Sequence, residues 1–530
     1  MEAELHAALP QRRPAIQPRS WPAPAWIHAI GGPDALVRRF TSSLLLRCLL
    51  FVAIFSLAAI PPIDTDLWWH LANGRLMVTT ASIPHVDVYS FSAAGQPWVM
   101  HEWLADLGMY AVFQLGGLPL LVTVFAGFVT AAAGCLYWLL RRGGLHPTAA
   151  AALTLIGALA GSTAWGARPQ VLNPLMTGLL LIGLLRYREG RLAAWLLPPF
   201  IWLWANLHSA FVVGLIIAGL FAAGETFDTW RRRPGAITWP RIRRLAAAIV
   251  AATMLSLVNP FGIQTLLFPL GTLTSPLIQN NIQEWSSPDF HTLPGLLFEA
   301  LVFLLLAGFA TRRVTQRASE VLVAFALLYL AFSSQRHVPL FVLGAALICG
   351  RCGQALLELG LSKLPKGRIA RGRRPGLRVG LLNLALLVAL AVGMVGYRAL
   401  PNLRSEAEAS SIGQTLPVQA TDALLRLGGP VRVFNYYDYG GYVIWRLVPG
   451  GSRVFIDGRV EVYGSRIFGD YLRVNYLGDD WPVVIQRAHP DAIMLPNGHP
   501  LVRLLRQDAE WQQFTRDRVA TVFTRVGFAP

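Results

Sequence analysis

Long apolar stretches recur along the chain, and the short loops between them alternate between basic and nearly uncharged. No other feature constrains the fold as strongly. A helix needs about 20 apolar residues to cross ~30 Å of hydrocarbon. Eleven stretches read as spans, at 42–60, 118–140, 147–165, 171–186, 193–207, 209–227, 245–259, 294–311, 318–333, 338–357 and 379–398. Alternate loops hold 26 Lys and Arg on one side, against only Arg75, Arg168 and Arg336 on the other. Basic loops stay in the cytoplasm. The N-terminus is therefore expected inside and the C-terminal tail outside. One missed span would scramble the alternation, so the charges also support the count. The run 261–278 reads as a re-entrant or interfacial piece.

Composition agrees. Of 530 residues, 54% are hydrophobic and 14% charged, against about 25% charged in soluble proteins. That excludes a water-soluble enzyme, a disordered chain and a disulfide scaffold. The formal charge of +17 does not signal nucleic acid, because most basic residues sit where membrane topology requires them. Cys349 and Cys352 have redox spacing, but at the end of a span they read as small packing residues.

The chain is thus expected to be a polytopic α-helical membrane protein of about 11 spans. It divides into a cytoplasmic segment 1–41, a transmembrane domain 42–400 with a first outer loop 61–117, and an extracytoplasmic α/β domain 401–530. The tail carries 14 Arg and 13 Asp plus Glu. Its β-rich runs Val431–Phe434, Arg453–Ile456 and Ala492–Leu495 are each followed by a helix-like stretch. Val519–Arg525 reads as an edge strand. A multi-pass inner (plasma) membrane is the expected setting.

Candidate chemistry concentrates outside. Asp64 and Asp66 directly follow the first span. Two carboxylates there could bind a divalent cation such as Mg or Mn, which prefers hard oxygen ligands, or serve as a general base. Trp68 and Trp69 suit the membrane interface or a sugar face, with His70 beside them. His101 and Glu102 head an amphipathic helix-like stretch, where a helix N-terminus favours a carboxylate. Arg168, His208, Glu284, Arg336 and His337 lie in the later outer loops, at one depth. A guanidinium fork there matches a lipid phosphate. In the tail, Tyr437, Asp438 and Tyr439 follow a strand. Asp457 and Arg459 end the next one and reach the same edge if the two strands are parallel neighbours.

These residues carry a resemblance. The Asp64-Thr65-Asp66 turn, the amphipathic stretch after His101 and the alternating basic loops resemble the GT-C superfamily of membrane glycosyltransferases. Tyr436-Tyr437-Asp438-Tyr439-Gly440 is similar to the Trp-Trp-Asp-Tyr-Gly motif of the oligosaccharyltransferase catalytic subunit. Both tryptophans are replaced, and no second Asp-X-Asp is seen in a later outer loop. The resemblance implies a polyprenyl-phosphate-linked sugar donor, an extracytoplasmic acceptor (protein, lipid or glycan) and chemistry at the outer face of the bilayer. Asp64, Asp66, His101, Glu102 and Glu284 would be the catalytic candidates, with Asp64 the leading base or metal ligand. Trp68, Trp69, His70, Arg168, His208, Arg336, His337, Tyr437, Asp438, Tyr439, Asp457 and Arg459 would bind substrate. The alternatives are a transporter or flippase of a lipid-linked intermediate, or a non-catalytic scaffold with a partner-binding outer domain.

Overall fold

The computed structural model describes residues 40–273, 276–311, 314–362, 376–402 and 411–529. Nearly all of the expected segment 1–41 lies outside the described residues, as do the basic positions Arg312, Arg313, Lys363 and Lys366.

In chain order the helices are α1 (Ser42–Ala58), α2 (Leu67–Thr80), α3 (Trp103–Arg142), α4 (Pro147–Ala160), α5 (Leu172–Arg188), α6 (Leu197–Leu207), α7 (Phe211–Trp230), α8 (Trp239–Ser256), α9 (Gln264–Leu273), α10 (Pro276–Asn281), α11 (Leu293–Ala310), α12 (Ala318–Ser333), α13 (Val338–Leu361) and α14 (Leu377–Met394). All but α2, α9 and α10 fall on the eleven apolar stretches. Among the described residues, length and composition suffice to cross a membrane for five: Trp103–Arg142, Phe211–Trp230, Leu293–Ala310, Gln335–Leu361 and Leu377–Asn402. Others are shorter; α4 has 14 residues, a rise of about 21 Å.

The 40 residues of α3 would run about 60 Å if straight, twice the hydrocarbon thickness. The helix breaks instead at Gly116 and Gly117, where Gly117 takes φ 63° and ψ −161°. That left-handed φ is open to glycine at little cost. The second piece begins where the span 118–140 was expected. The first piece is the amphipathic stretch expected after His101, with Glu102 at its N-cap.

The helix bundle encloses one large apolar core, in which Ile201, Trp204, Phe211, Phe298 and Phe341 are fully buried. Its rim exposes Val250, Phe303, Tyr329 and Val392, side chains that water would disfavour and lipid tails would not. Ionisable groups collect at the helix ends. At the basic end, Arg188 reaches Glu225 at 3.4 Å and Glu320 at 3.1 Å. Arg351 also bonds Glu320. The opposite end carries the loops expected outside.

The C-terminal domain contains α15 (Val418–Leu425), β1 (Arg432–Asn435), α16 (Gly440–Leu447), β2 (Arg453–Val454), α17 (Val460–Asn475), α18 (Trp481–Ala488), β3 (Ala492–Pro496), α19 (Pro500–Leu505), β4 (Trp511–Arg516) and β5 (Ala520–Arg525). The sheet order is β2-β1-β3-β5-β4. β1 runs parallel to β2 and β3, and β5 is antiparallel to β3 and β4. The last run is therefore not an edge strand. It is inside the sheet and buried, and the edge is β4. That strand escapes a sequence reading because Gln512, Gln513 and Phe514 are exposed and the run lacks an apolar block.

The other edge, β2, is closed by the first outer loop. Val454 N–H donates to Tyr89 O at 3.1 Å, and Phe91 N–H to Val454 O at 3.0 Å. Beneath this seam Arg459 is 1% exposed. It pairs with Asp457 at 2.6 Å and Asp87 at 2.9 Å, and it faces the rings of Tyr89 and Trp98 at 4.9 and 4.5 Å. Loop and sheet domain share one core, which places the C-terminal domain at the helix ends that carry the loops expected outside.

Candidate functional site

A cavity of about 490 Å³ opens where the outer loops meet the C-terminal domain. Asp66, Trp69, His70, His101, Glu102, Arg168, His208, Glu284, Arg336, His337, Tyr437 and Asp438 all line it. These come from the first outer loop, four later outer loops and the strand end of β1. The outer-loop residues expected at one depth therefore do converge.

The Asp64–Asp66 turn forms one wall. Asp66 N–H donates to Asp64 Oδ1 at 3.0 Å, and Trp69 Nε1–H donates to Asp66 Oδ1 at 3.1 Å. Asp66 lines the cavity and Asp64 does not. The C-terminal domain presses on this turn through two glycines. A Cβ on Gly458 would collide with Asp66 Oδ1, and one on Gly441 with the carbonyl of Thr65. Glycine lets the backbones meet there. Burial and the neighbouring Asp64 raise the Asp66 carboxyl to about 6.

Arg168 stands among three carboxylates. Its Nε lies 3.0 Å from Asp64 Oδ2, one terminal nitrogen lies 3.4 Å from Asp66 Oδ2, and the other bonds Glu284. Desolvation would lower its pKa, but Asp64, Glu284 and Asp66 outweigh it and raise it. Arg336 is differently placed. It donates to Gln170 at 2.9 Å and lies over the ring of Trp285 at 4.6 Å.

A histidine group forms the opposite wall. His208 Nε2 is 2.9 Å from Glu102 Oε1, and His101 Nε2 is 3.6 Å from it. His208 Nδ1 accepts from Ala210 N–H at 3.0 Å and contacts Asn173 Nδ2 at 3.2 Å. The neutral ring therefore carries its proton on Nε2 and donates to Glu102. Burial would raise the Glu102 carboxyl, but His101 and His208 hold it well below the usual range. Burial keeps His208 below its ordinary value despite Glu102.

Deeper, His70 Nδ1 bonds Asp106 Oδ1 at 2.7 Å, and Asn73 Nδ2 donates to Asp106 Oδ2 at 2.7 Å. Ligand atoms of His70, Glu102 and Asp106 lie within 4.8 Å of one another, the spacing of a cation site. As arranged they serve each other: Nδ1 of His70 and both Asp106 oxygens are already hydrogen-bonded. The group clamps α2 to α3. Burial would lower the His70 ring, but Asp106 and Glu102 raise it.

Five expected site residues do not line the cavity: Asp64, Trp68, Tyr439, Asp457 and Arg459. Trp68 is 4% exposed and meets Tyr442 edge-on at 5.1 Å. Tyr439 is buried and donates to Val519 O at 3.3 Å. β1 and β2 are indeed parallel neighbours, yet Asp457 and Arg459 turn inward beneath the loop seam.

Other residues in or beside the cavity were not singled out from sequence. Asp106, fully buried outside the cavity lining and bonded to the lining residue His70, sits one helical turn after Glu102, a spacing that could have flagged it. Tyr436 lies in the aromatic motif but was not singled out. Phe468, Tyr471 and Tyr476 add an aromatic wall from α17 and its end; their spacing looks like any amphipathic helix. Burial raises the Tyr437 hydroxyl well above its ordinary value, so it stays protonated and can donate.

No protein-family model matches the chain, and no curated protein matches it in sequence. Solved structures do. The oligosaccharyltransferase AglB from Archaeoglobus fulgidus, in complex with an inhibitory peptide and a dolichol-phosphate, superposes with a TM-score of 0.51 at 11% identity, over 86% of this chain and 69% of that one. Its apo form gives 0.51 at 12% identity, over 86% and 70%. ArnT from Cupriavidus metallidurans in the apo state gives 0.48 at 16% identity, over 91% and 97%. Helix bundle, first outer loop and sheet domain together share the fold of the solved AglB structures.

Proposed function

We propose that the protein transfers a sugar from a polyprenyl-phosphate donor to an acceptor outside the cytoplasm. Arg336 carries this reading. It lines the cavity at the rim of an apolar helix bundle, and among the described residues no carboxylate lies within ion-pair distance of it. A desolvated guanidinium calls for an anion, and at that depth a lipid phosphate supplies one. The solved oligosaccharyltransferase of like fold was captured with a dolichol-phosphate, which supports the choice of donor class.

The reaction follows from the groups present. The acceptor oxygen attacks the anomeric carbon. The carbon–oxygen bond to phosphate breaks, and its electron pair leaves on the phosphate. Arg336 stabilises that charge. The acceptor's proton goes to Asp66, whose carboxyl at about 6 is mostly ionised at neutral pH yet more basic than an ordinary carboxylate. The base is thus Asp66 rather than Asp64, which orients the turn. Glu102, held ionised by its histidines, accepts from a sugar hydroxyl. Tyr437 and Asp438 face the acceptor. The divalent cation expected from sequence takes no part in this scheme, because both acidic groups already have hydrogen-bonded or ion-paired partners. The basic-loop asymmetry supports a plasma (inner) membrane setting with the N-terminus inside and the C-terminal domain outside.

The test uses undecaprenyl phosphate as probe with the detergent-purified full-length protein. Wild type should bind it, and Arg336→Ala, with an unchanged melting temperature, should bind at least tenfold more weakly. Equal binding by the two proteins, or none by either, would overturn the reading.

A further inference from the structure

Three carboxylates converging on one point are what a hard divalent cation uses. Asp64, Asp66 and Glu284 converge in this way, but the point has an occupant. Each nitrogen of the Arg168 guanidinium faces a different carboxylate. A metal ion bridging these oxygens would need bonds of about 2.0–2.6 Å, and it would sit on the guanidinium itself. The arginine is held in place. Its backbone is extended (φ −146°, ψ 154°) just before Pro169, the conformation a following proline imposes. Its side chain is 12% exposed. An arginine charge is also permanent across any working pH, as a metal's would be.

We propose that Arg168 is the resident cation of this carboxylate seat. It replaces a divalent ion there and ties the Asp64–Asp66 turn to Glu284, which lies 116 residues beyond the arginine. Arg168 is therefore a positioning residue and not the phosphate ligand, a role left to Arg336. The inference rests on this geometry and does not require the transferase reading, since the seat excludes metal whatever the cavity takes.

The experiment titrates metal-stripped, full-length protein in detergent with Mn²⁺, followed by the loss of the free Mn²⁺ electron-spin signal. Asp64→Asn should leave the wild-type titration unchanged, which separates this seat from any Mn²⁺ held by the His70 group. Arg168→Ala should gain one Mn²⁺ at least tenfold tighter than anything wild type binds, and adding Asp64→Asn should abolish the gain. Arg168→Lys, which keeps a cation in the seat, should gain none. Wild-type Mn²⁺ binding that Asp64→Asn removes would overturn the proposal. So would an Arg168→Ala protein that melts like wild type and gains no ion. If Arg168→Ala does not fold, the wild-type and Asp64→Asn titrations still decide between the two.

Discussion

Two arginines in this protein each hold several carboxylates, and they do opposite work. Arg459 sits with Asp87 and Asp457 in the seam between the first outer loop and the sheet. It is 1% exposed, and neither it nor its partners line the cavity. Arg168 sits with Asp64, Asp66 and Glu284, and all of these except Asp64 reach the cavity. Motif and residue type are the same; solvent access is what differs. A sealed cluster has no substrate to act on, and its contribution is to join two parts of the chain. A cluster open on one side keeps a carboxylate available while the arginine holds its position.

This contrast can be broken first at the carboxylates. Asp66→Asn removes the proposed base, and transfer should fall by about 10²–10⁴ while the melting temperature stays near wild type. Asp457→Asn should do the reverse. Product formed at the wild-type rate by Asp66→Asn would end the distinction between the two clusters.

Next come the arginines. Arg459→Met leaves Asp87 and Asp457 buried without a cation, and unfolding free energy should drop by about 3–5 kcal/mol. Arg168→Met should cost clearly less, because its acids are part-exposed and water can reach them. Denaturant titrations compare the two directly, and equal losses would mean that exposure is not what separates them.

The smallest effect is in pH. A carboxyl raised to about 6 loses its basic form as pH falls through that value. The specificity constant kcat/KM should therefore drop about tenfold per unit below pH 6. Asp64 is one cause of the raised value, so Asp64→Asn should shift this limb to lower pH. A limb that stays at 6 would show that burial alone sets it.

Much of the architecture was legible because a bilayer leaves few choices. Apolar length and loop charge located eleven helices, and the basic residues marked which helix ends lie opposite the site. Strand β4 was missed because its exposed polar residues carry no alternation. The depth of His208, Glu284 and Arg336 could be read from their loops, since every outer loop must return to the same surface. Their partners could not, because Arg168 and Glu284 meet only through tertiary packing.

The sequence by itself determined the class of the fold, which loops gather at one end of the helices and most residues that line the cavity there. Hydrophobic periodicity and charge act locally, so they survive in a linear reading. The tertiary structure alone decided which of two neighbours faces the cavity. Trp68 and Trp69 are adjacent on α2, about 100° apart around the helix. Tyr442 of the C-terminal domain covers the first, and the second hydrogen-bonds Asp66 in the cavity. Arg168 and Arg459 likewise read as equal cations in the chain. Only the docking of the sheet domain on the outer loop seals one and leaves the other open, because burial is a property of the assembled surface and not of the residue.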